Sequence, residues 1–239
     1  MGRHIQTQAT ALRVSQNLAV QNPLALLEYK QVAPNTGSSG ALEHAMLSVG
    51  VVRSFSRNKQ IFGDEGPANQ IYKVLAGTVC TYKILSDGRR HINSFYLADE
   101  SFALEHIDRH DRAAEAISDA KILVVKRAAL MALASSDAAV ARQLLMLTAR
   151  ELARVQDRVL LLAKTAEERV AWFILEMAKR STGDSIELPM LRQDIADYLG
   201  LTIETVSRTL KFLKDHGGIE VSTRQVVLRN RSTLRRING

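Results

Sequence analysis

Glu204, Ser207 and Arg208 are the residues of this 239-residue chain whose types and spacing most directly define a chemistry. Placed on a helix, Glu204, Ser207, Arg208 and Lys211 fall at i, i+3, i+4 and i+7 and share one face. A guanidinium can bond O6 and N7 of guanine with two parallel donors. A carboxylate can accept from the N4 amine of cytosine, and a hydroxyl can bond a base edge. Ile203, beside them, can touch a thymine methyl. Val206, Leu210 and Leu213 fall at i, i+4 and i+7 on the opposite side, which suits burial. A helix of this kind can enter a major groove with its polar face and rest on a core with the other.

The residues before it supply the grammar of a helix-turn-helix. Ala196 is small where two helices cross closely, Gly200 stands four residues later at the turn, and Thr202 can cap the second helix. After Leu213 come Gly217-Gly218, then Ile219-Glu220-Val221 and Val226-Val227-Leu228, which read as a two-stranded wing. Arg224, Arg229, Arg231, Arg235 and Arg236 follow with no acid among them. They form either a phosphate-facing strip or a solvated end.

Such a reading unit needs a scaffold, and the chain divides accordingly. Residues 165–239 form the compact unit just described, with an amphipathic helix opening at Val170 to Leu175 and a short strand at Ile186 to Leu188. Residues 134–164 contain no Gly or Pro. There Ala138, Ala141, Leu145, Thr148, Leu152, Val155, Val159 and Leu162 alternate at steps of three and four, a heptad seam that suits pairing with a second copy. The alternative is a helix packed on its own domain. Arg142, Arg150, Arg154 and Arg158 flank the seam and read as a solvated face. Residues 46–133 hold short apolar runs between turn signals. These are Ile71 to Val74, Val79 to Leu85, His91 to Leu97 after the turn pair Asp87-Gly88, Ala116-Ile117, and Ile122 to Val125. Many short strands with tight turns predict an antiparallel sandwich or roll, so the whole is α+β. Residues 1–45 read as a loosely structured arm.

Composition bounds the partners. The net charge of +7 favours a polyanion, here double-stranded DNA, without proving one. The single cysteine, Cys80, forbids an internal disulfide and suits a reducing compartment. No apolar run approaches 18 residues, so no membrane span is expected. The first 30 residues carry Arg3 and Arg13 but no signal-like apolar core. The expected location is therefore cytoplasmic.

The chain resembles the CRP/FNR superfamily of bacterial regulators over about residues 48–235. The resemblance rests on Gly63-Asp64-Glu65-Gly66, Leu75-Ala76-Gly77-Thr78-Val79, the seam helix and Glu204-Thr205-Val206-Ser207-Arg208. Asp194 to Thr202 is especially similar to FixK- and FNR-type members. The resemblance implies an N-terminal cyclic-nucleotide-binding-type antiparallel β-roll, a long dimerisation helix and a C-terminal winged helix-turn-helix. The seam residues Leu145, Thr148, Leu152, Val155, Val159 and Leu162 would then join a homodimer. The cyclic-AMP receptor branch has Arg where this chain has Ile203 and Gly where it has Ser207, whereas FNR-type proteins have an apolar residue and Ser. The implied site is a palindrome of the type TTGAT–four bases–ATCAA. Arg208 would read guanine, Glu204 its paired cytosine and Ser207 a neighbouring thymine, with Ile203 alongside. Arg192, Thr202, Thr205 and Lys211 would hold phosphates. The implied role is an activator that recruits RNA polymerase, and the physiology is low-oxygen respiration or nitrogen fixation.

What signal it would sense is a separate question. The family's cyclic-AMP pocket uses a Gly-Glu pair and an Arg-Ser pair. Here Leu104 stands where the ribose-binding Glu belongs and Ala113 replaces the Ser, leaving Arg112 alone. FNR itself ligates an iron–sulfur cluster through four cysteines, which one cysteine cannot do. Some FixK-type proteins carry a reactive cysteine where this chain has Leu191. Cys80, alternating with Tyr82 and Ile84 on one strand face, is either a buried small residue or a redox thiol. His106 and His110, with Glu105, Asp108 and Asp111 near, are either a metal pair on a helix or an exposed polar loop. The expectation is a regulator with no cofactor and no obligatory effector. An effector-gated member (cyclic nucleotide, haem or redox) is the alternative. A sensor-domain protein of other purpose and a metal hydrolase using Glu105, His106 and His110 are the remote ones. The latter lacks a nucleophile, a second ligand cluster and a phosphate-cradling glycine loop.

Overall fold

The computed structural model describes residues 40–105, 107–161, 163–181, 183–222 and 224–239. In chain order the first elements are α1 (Ala41–Val49), β1 (Gly50–Phe55), β2 (Gln60–Phe62), β3 (Gln70–Ala76), β4 (Val79–Ile84) and β5 (Arg90–Tyr96). Then come β6 (Ser101–Phe102), β7 (Ala113–Ala116), β8 (Ala120–Lys126), α2 (Arg127–Ser136) and α3 (Ala138–Leu161). The last are α4 (Ala166–Lys179), β9 (Ser185–Glu187), α5 (Arg192–Leu199), α6 (Ile203–Asp215), β10 (Ile219–Val221), β11 (Gln225–Leu228) and α7 (Arg231–Asn238). The chain is α+β and forms two compact units. One holds residues 40–79 and 96–151, the other 80–95 and 152–239.

The first unit is built on an antiparallel sheet of order β1-β8-β3-β6. Strands β3 and β8 are nearly unbroken apolar runs because both faces are covered. Strand alternation sends their residues to two cores. Ile71, Leu75, Leu123 and Val125 pack with α1, α2 and the start of α3, against Leu42, Met46, Leu130 and Val140. Tyr72, Val74, Ile122 and Val124 pack on the other side with Phe102, Ala114 and Ala116. Lys73 shares the first face, and its buried charge is met by Glu43 and by Asp99. Strand β2 pairs with β7, Phe62 opposite Ala114.

The helix expected from residue 134 is two helices. Asp137 interrupts it with extended backbone (φ −128°, ψ 107°), and its carboxylate accepts from Ala139 N at 2.8 Å as a start cap for α3. The preceding helix, α2, was not anticipated. On α3 the seam residues Leu145, Thr148, Leu152, Val155 and Val159 are all exposed, while Leu162 lies outside the described residues. A second stripe, at Val140, Leu144 and Leu147, is the one that packs inward.

The second unit contains the β4–β5 hairpin, closed by the Asp87-Gly88 turn with Gly88 at φ 83°. It also holds α4, started by a capping box in which Thr165 and Glu168 bond each other's backbone N–H. The wing is a three-stranded sheet of order β10-β11-β9, not a two-stranded one. Strand β9 joins it by pairing Ile186 with Val226. The arginine-rich end forms helix α7, held by Asn230, which accepts from the N–H of Ser232 and Thr233, and by buried Leu234. Gly218 lies just ahead of β10. It is buried, its carbonyl accepts from Arg229 N (3.0 Å) and Asn230 N (3.1 Å), and a Cβ there would stand 3.2 Å from Leu213 O and from Leu234. Among the described residues no helix is long and apolar enough to cross a membrane.

Candidate nucleic-acid interface

Helices α5 and α6 are placed by local chemistry. Asp194 turns back to accept from Leu191 N at 2.8 Å, satisfying a donor that the first turn of α5 leaves open. Gly200 ends α5 at φ 65°, ψ 40°, and Leu201 N bonds Ala196 O at 3.0 Å. Thr202 then starts α6, its side chain accepting from Thr205 N at 3.2 Å. Ala196 is fully buried at the crossing. Val206, Leu210 and Leu213 are buried with Thr209, so the apolar stripe faces inward.

The opposite face is open. Ile203, Glu204, Arg208 and Lys211 are exposed and Ser207 is half-buried. Arg192 and Thr202 are exposed as well and Thr205 is half-buried, so every expected base-reading and phosphate-holding residue reaches solvent. Two of them meet across the helices, Arg192 Nη1 donating to Ser207 Oγ at 3.3 Å. Thr202 donates to Thr205 at 3.1 Å between hydroxyls, and the Arg208 guanidinium lies 3.5 Å from the Thr205 hydroxyl. No carboxylate is within ion-pair distance of Arg192, Arg208 or Lys211 among the described residues, so their charge is available to an anion. Arg192 and Arg224 line one cleft of about 440 Å³ between α5, α6 and the wing, with Leu191, Ile195, Leu210 and Ser222.

The tail arginines divide. Arg229 pairs with Glu220 at 2.6 Å and Arg231 with Asp184 at 3.0 Å, so two of the five are held by acids from elsewhere in the chain. Arg224, Arg235 and Arg236 are exposed. The Arg229 pair holds the Glu220 carboxyl below its ordinary range.

Other candidates resolve differently. Cys80 is fully buried. Arg112 is bonded to Asp111 at 2.7 Å and lies 3.7 Å from Glu105, so its charge is taken up by the chain's own carboxylates. Ala113 is buried beside it. The segment around His110 is an exposed loop, with Glu105, Ile107 to Arg109 and Asp111 in solvent, but His110 itself turns inward. It is 5% exposed and its ring stacks on Phe62 at 3.8 Å. Its Nε2 has no hydrogen-bond partner among the described residues. Burial lowers its pKa from 6.5, against the pull of Glu105. His106 lies outside the described residues. Among the described residues no group of three or more His, Cys, Asp or Glu could hold a metal ion.

Sequence reasoning missed a set of arginines that secure the motif from behind. Arg158, expected in solvent, lies over the Tyr198 ring at 4.4 Å and donates to Tyr198 O at 3.0 Å and to Ile92 O. Arg169 donates to Leu199 O at 3.0 Å, Arg180 to Phe95 O at 3.2 Å, and Arg90 to Asp194 at 2.9 Å. Partners so distant in sequence leave no periodic signal.

Known families and proteins match most of the chain. Residues 52–137 match the cyclic nucleotide-binding domain family, and residues 168–237 match the Crp-like helix-turn-helix domain family. The nitrogen fixation regulation protein FixK of Azorhizobium caulinodans is 42% identical over 92% of this chain and 93% of its own. The fumarate and nitrate reduction regulatory protein of Escherichia coli is 31% identical over 74% of this chain and 73% of its own. The structure of FixK2 from Bradyrhizobium japonicum superposes with a TM-score of 0.76 at 45% identity, covering 80% of this chain and 98% of that one.

Proposed function

The chain belongs to the CRP/FNR superfamily of DNA-binding transcription regulators, in its FixK branch, and we propose that it acts as a homodimeric activator at TTGAT–four bases–ATCAA palindromes. It is not an enzyme. In this reading Arg208 bonds guanine, Glu204 the paired cytosine and Ser207 a thymine, with Ile203 against a methyl group. Arg192, Thr202, Thr205 and Lys211 hold phosphates. The organisation proposed is an arm ahead of α1, a cyclic-nucleotide-binding-like roll that includes α1 and α2, a dimerisation helix α3 and a winged helix-turn-helix at 165–239. Leu145, Thr148, Leu152, Val155, Val159 and Leu162 form the dimer seam. RNA polymerase is the proposed protein partner and the cytoplasm the proposed location.

The observation that carries the reading is the sidedness of α6. Val206, Leu210 and Leu213 are buried while Ile203, Glu204, Arg208 and Lys211 are exposed. The test is mobility of a duplex bearing the palindrome. Wild type binds it, and Arg208→Ala weakens binding by at least about tenfold, since each of the dimer's two bidentate guanine contacts is worth roughly 1–3 kcal/mol. Unchanged binding in the variant refutes the role of Arg208. Independence from an effector is supported by the departures at Leu104 and Ala113 and by the intramolecular pairing of Arg112. Purified protein that bound DNA only after a cyclic nucleotide or metal was added would overturn it.

A further inference from the structure

The β4–β5 hairpin belongs to the same compact unit as the helix-turn-helix, and one arginine ties it to the first helix of that motif. Arg90 opens β5. Its Nη1 donates to Asp194 Oδ1 at 2.9 Å and lies 4.0 Å from Asp197 Oδ2. Its Nη2 rests 3.2 Å from Cys80 Sγ, and its guanidinium lies over the Tyr82 ring at 4.6 Å. The side chains of Arg90, Asp194 and Asp197 are 24%, 10% and 14% exposed. A cation and two carboxylates so withdrawn from water are screened little by salt. Stacking on Tyr82 orients the planar fork toward the acids, a geometry that arginine holds and lysine does not.

The acid that Arg90 grips is the one that shapes α5. Asp194 Oδ1 takes the guanidinium while Oδ2 caps the helix start through Leu191 N. Helix α5 in turn supports α6 at Ala196 and through the bond from Arg192 to Ser207. A second set of contacts stands behind the same helix. Phe95 of β5 packs on Tyr198 with ring centroids 5.1 Å apart and on Phe173 of α4 at 6.2 Å. Arg180 donates to Phe95 O, and Arg158 joins Ile92 O to Tyr198 O.

We propose that Arg90 is a positioning residue for DNA reading: it latches the β4–β5 hairpin to α5 and so sets how α6 is presented to the major groove. The inference rests on α6 being the reading helix. Arg90 acts through Asp194 and Asp197 and touches no base or phosphate. Specific binding requires reading helices held in one geometry, whereas non-specific binding requires only cations near phosphates. Loosening the latch therefore lowers specific affinity and leaves non-specific affinity in place.

The test compares full-length wild type, Arg90→Gln and Arg90→Lys in two measurements. One is the affinity for the TTGAT palindrome and for a scrambled duplex across a salt series. The other is amide hydrogen exchange without DNA. Arg90→Gln is expected to lose about tenfold in specific affinity, the size of an ordinary coupling between distant groups, with scrambled-duplex binding and the salt slope unchanged. Exchange in Arg192–Leu199 is expected to quicken, and Arg90→Lys is expected to restore part of both. Unchanged affinity or unchanged exchange in Arg90→Gln overturns the proposal. A salt slope reduced by about one would instead make Arg90 a phosphate contact and overturn it equally. If wild type does not prefer the palindrome, the reading of α6 fails, and exchange in Arg192–Leu199 alone decides the latch. Should Arg90→Gln fail to fold, Arg90→Lys, which keeps the charge and loses the planar fork, is compared with wild type alone, and unchanged specific affinity or unchanged exchange in it overturns the proposal.

Discussion

Gly200 stands at φ 65°, the hand of backbone that a side chain resists, between the two helices of the motif. A Cβ there would meet only Arg169 Nη1 at 3.7 Å, an ordinary contact. The cost of Gly200→Ala is therefore backbone alone, about 1 kcal/mol. It should appear as a lowered denaturant midpoint with an unchanged slope, and an unchanged midpoint would contradict the turn geometry. His110 offers a second test. Burial keeps its imidazole neutral below the ordinary 6.5, so the unfolded chain takes up a proton first as the pH falls. Stability is then fully present above about 6.5 and is lost as the pH falls from there toward the lowered native value. His91 is shifted the same way, by burial and by Arg158, so the two residues share the slope. Replacing His110 with Phe keeps a ring on Phe62 and removes the orphaned Nε2. Thermal midpoints measured from pH 7.5 to 5.5 should fall less steeply in this variant than in wild type. Parallel curves would show that His110 contributes nothing to the slope.

Elements with local causes were legible in the sequence, and elements with distant causes were not. The reading helix could be placed because a cap, a glycine and an apolar stripe all lie within Ala196 to Leu213. The β4–β5 turn could be placed because Asp87-Gly88 is a hairpin signal by itself. Helix α3 was half legible. Its exposed seam repeats at steps of three and four, but so does the inward stripe beginning at Val140, Leu144 and Leu147. Two interleaved seams on one helix give a pattern in which arginines such as Arg158 look solvated. The break at Asp137 escaped because aspartate is tolerated in a helix and announces a cap only once the chain around it is known. Strand β9 was seen, but its membership of the wing depends on pairing with β11 some forty residues away, which periodicity does not encode. Helix α7 was hidden by its composition. Only Leu234 is buried, so there is no stripe, and Asn230 as its cap was the remaining cue. The candidate site was legible as a surface, whereas the hairpin arginine beneath it was not.

At the scale of the whole molecule, the proposed dimer seam stands exposed on the single chain. Leu145, Leu152, Val155 and Val159 are 70%, 60%, 52% and 60% exposed, and they lie on one line along α3. Side chains of this size gain about 1.5–3 kcal/mol each on full burial, and a two-fold partner buries two copies of each. The same two-fold axis is what a palindromic site with half-sites one helical turn apart requires. Exposure also gives a clean experiment. Leu152 makes no contribution to the described apolar cores, so Leu152→Glu leaves the fold of one chain intact. It sets two carboxylates against each other in the seam, where they lose water without gaining a partner. Sedimentation should show the wild type as a dimer and Leu152→Glu as a folded monomer with unchanged far-ultraviolet circular dichroism. The monomer should retain the weak, salt-sensitive affinity that cations confer on any duplex. It should lose preference for the palindrome, since each reading helix then binds one half-site without the other. A variant that stayed dimeric, or a monomer that kept the full preference, would remove α3 from the dimer and the palindrome from the function.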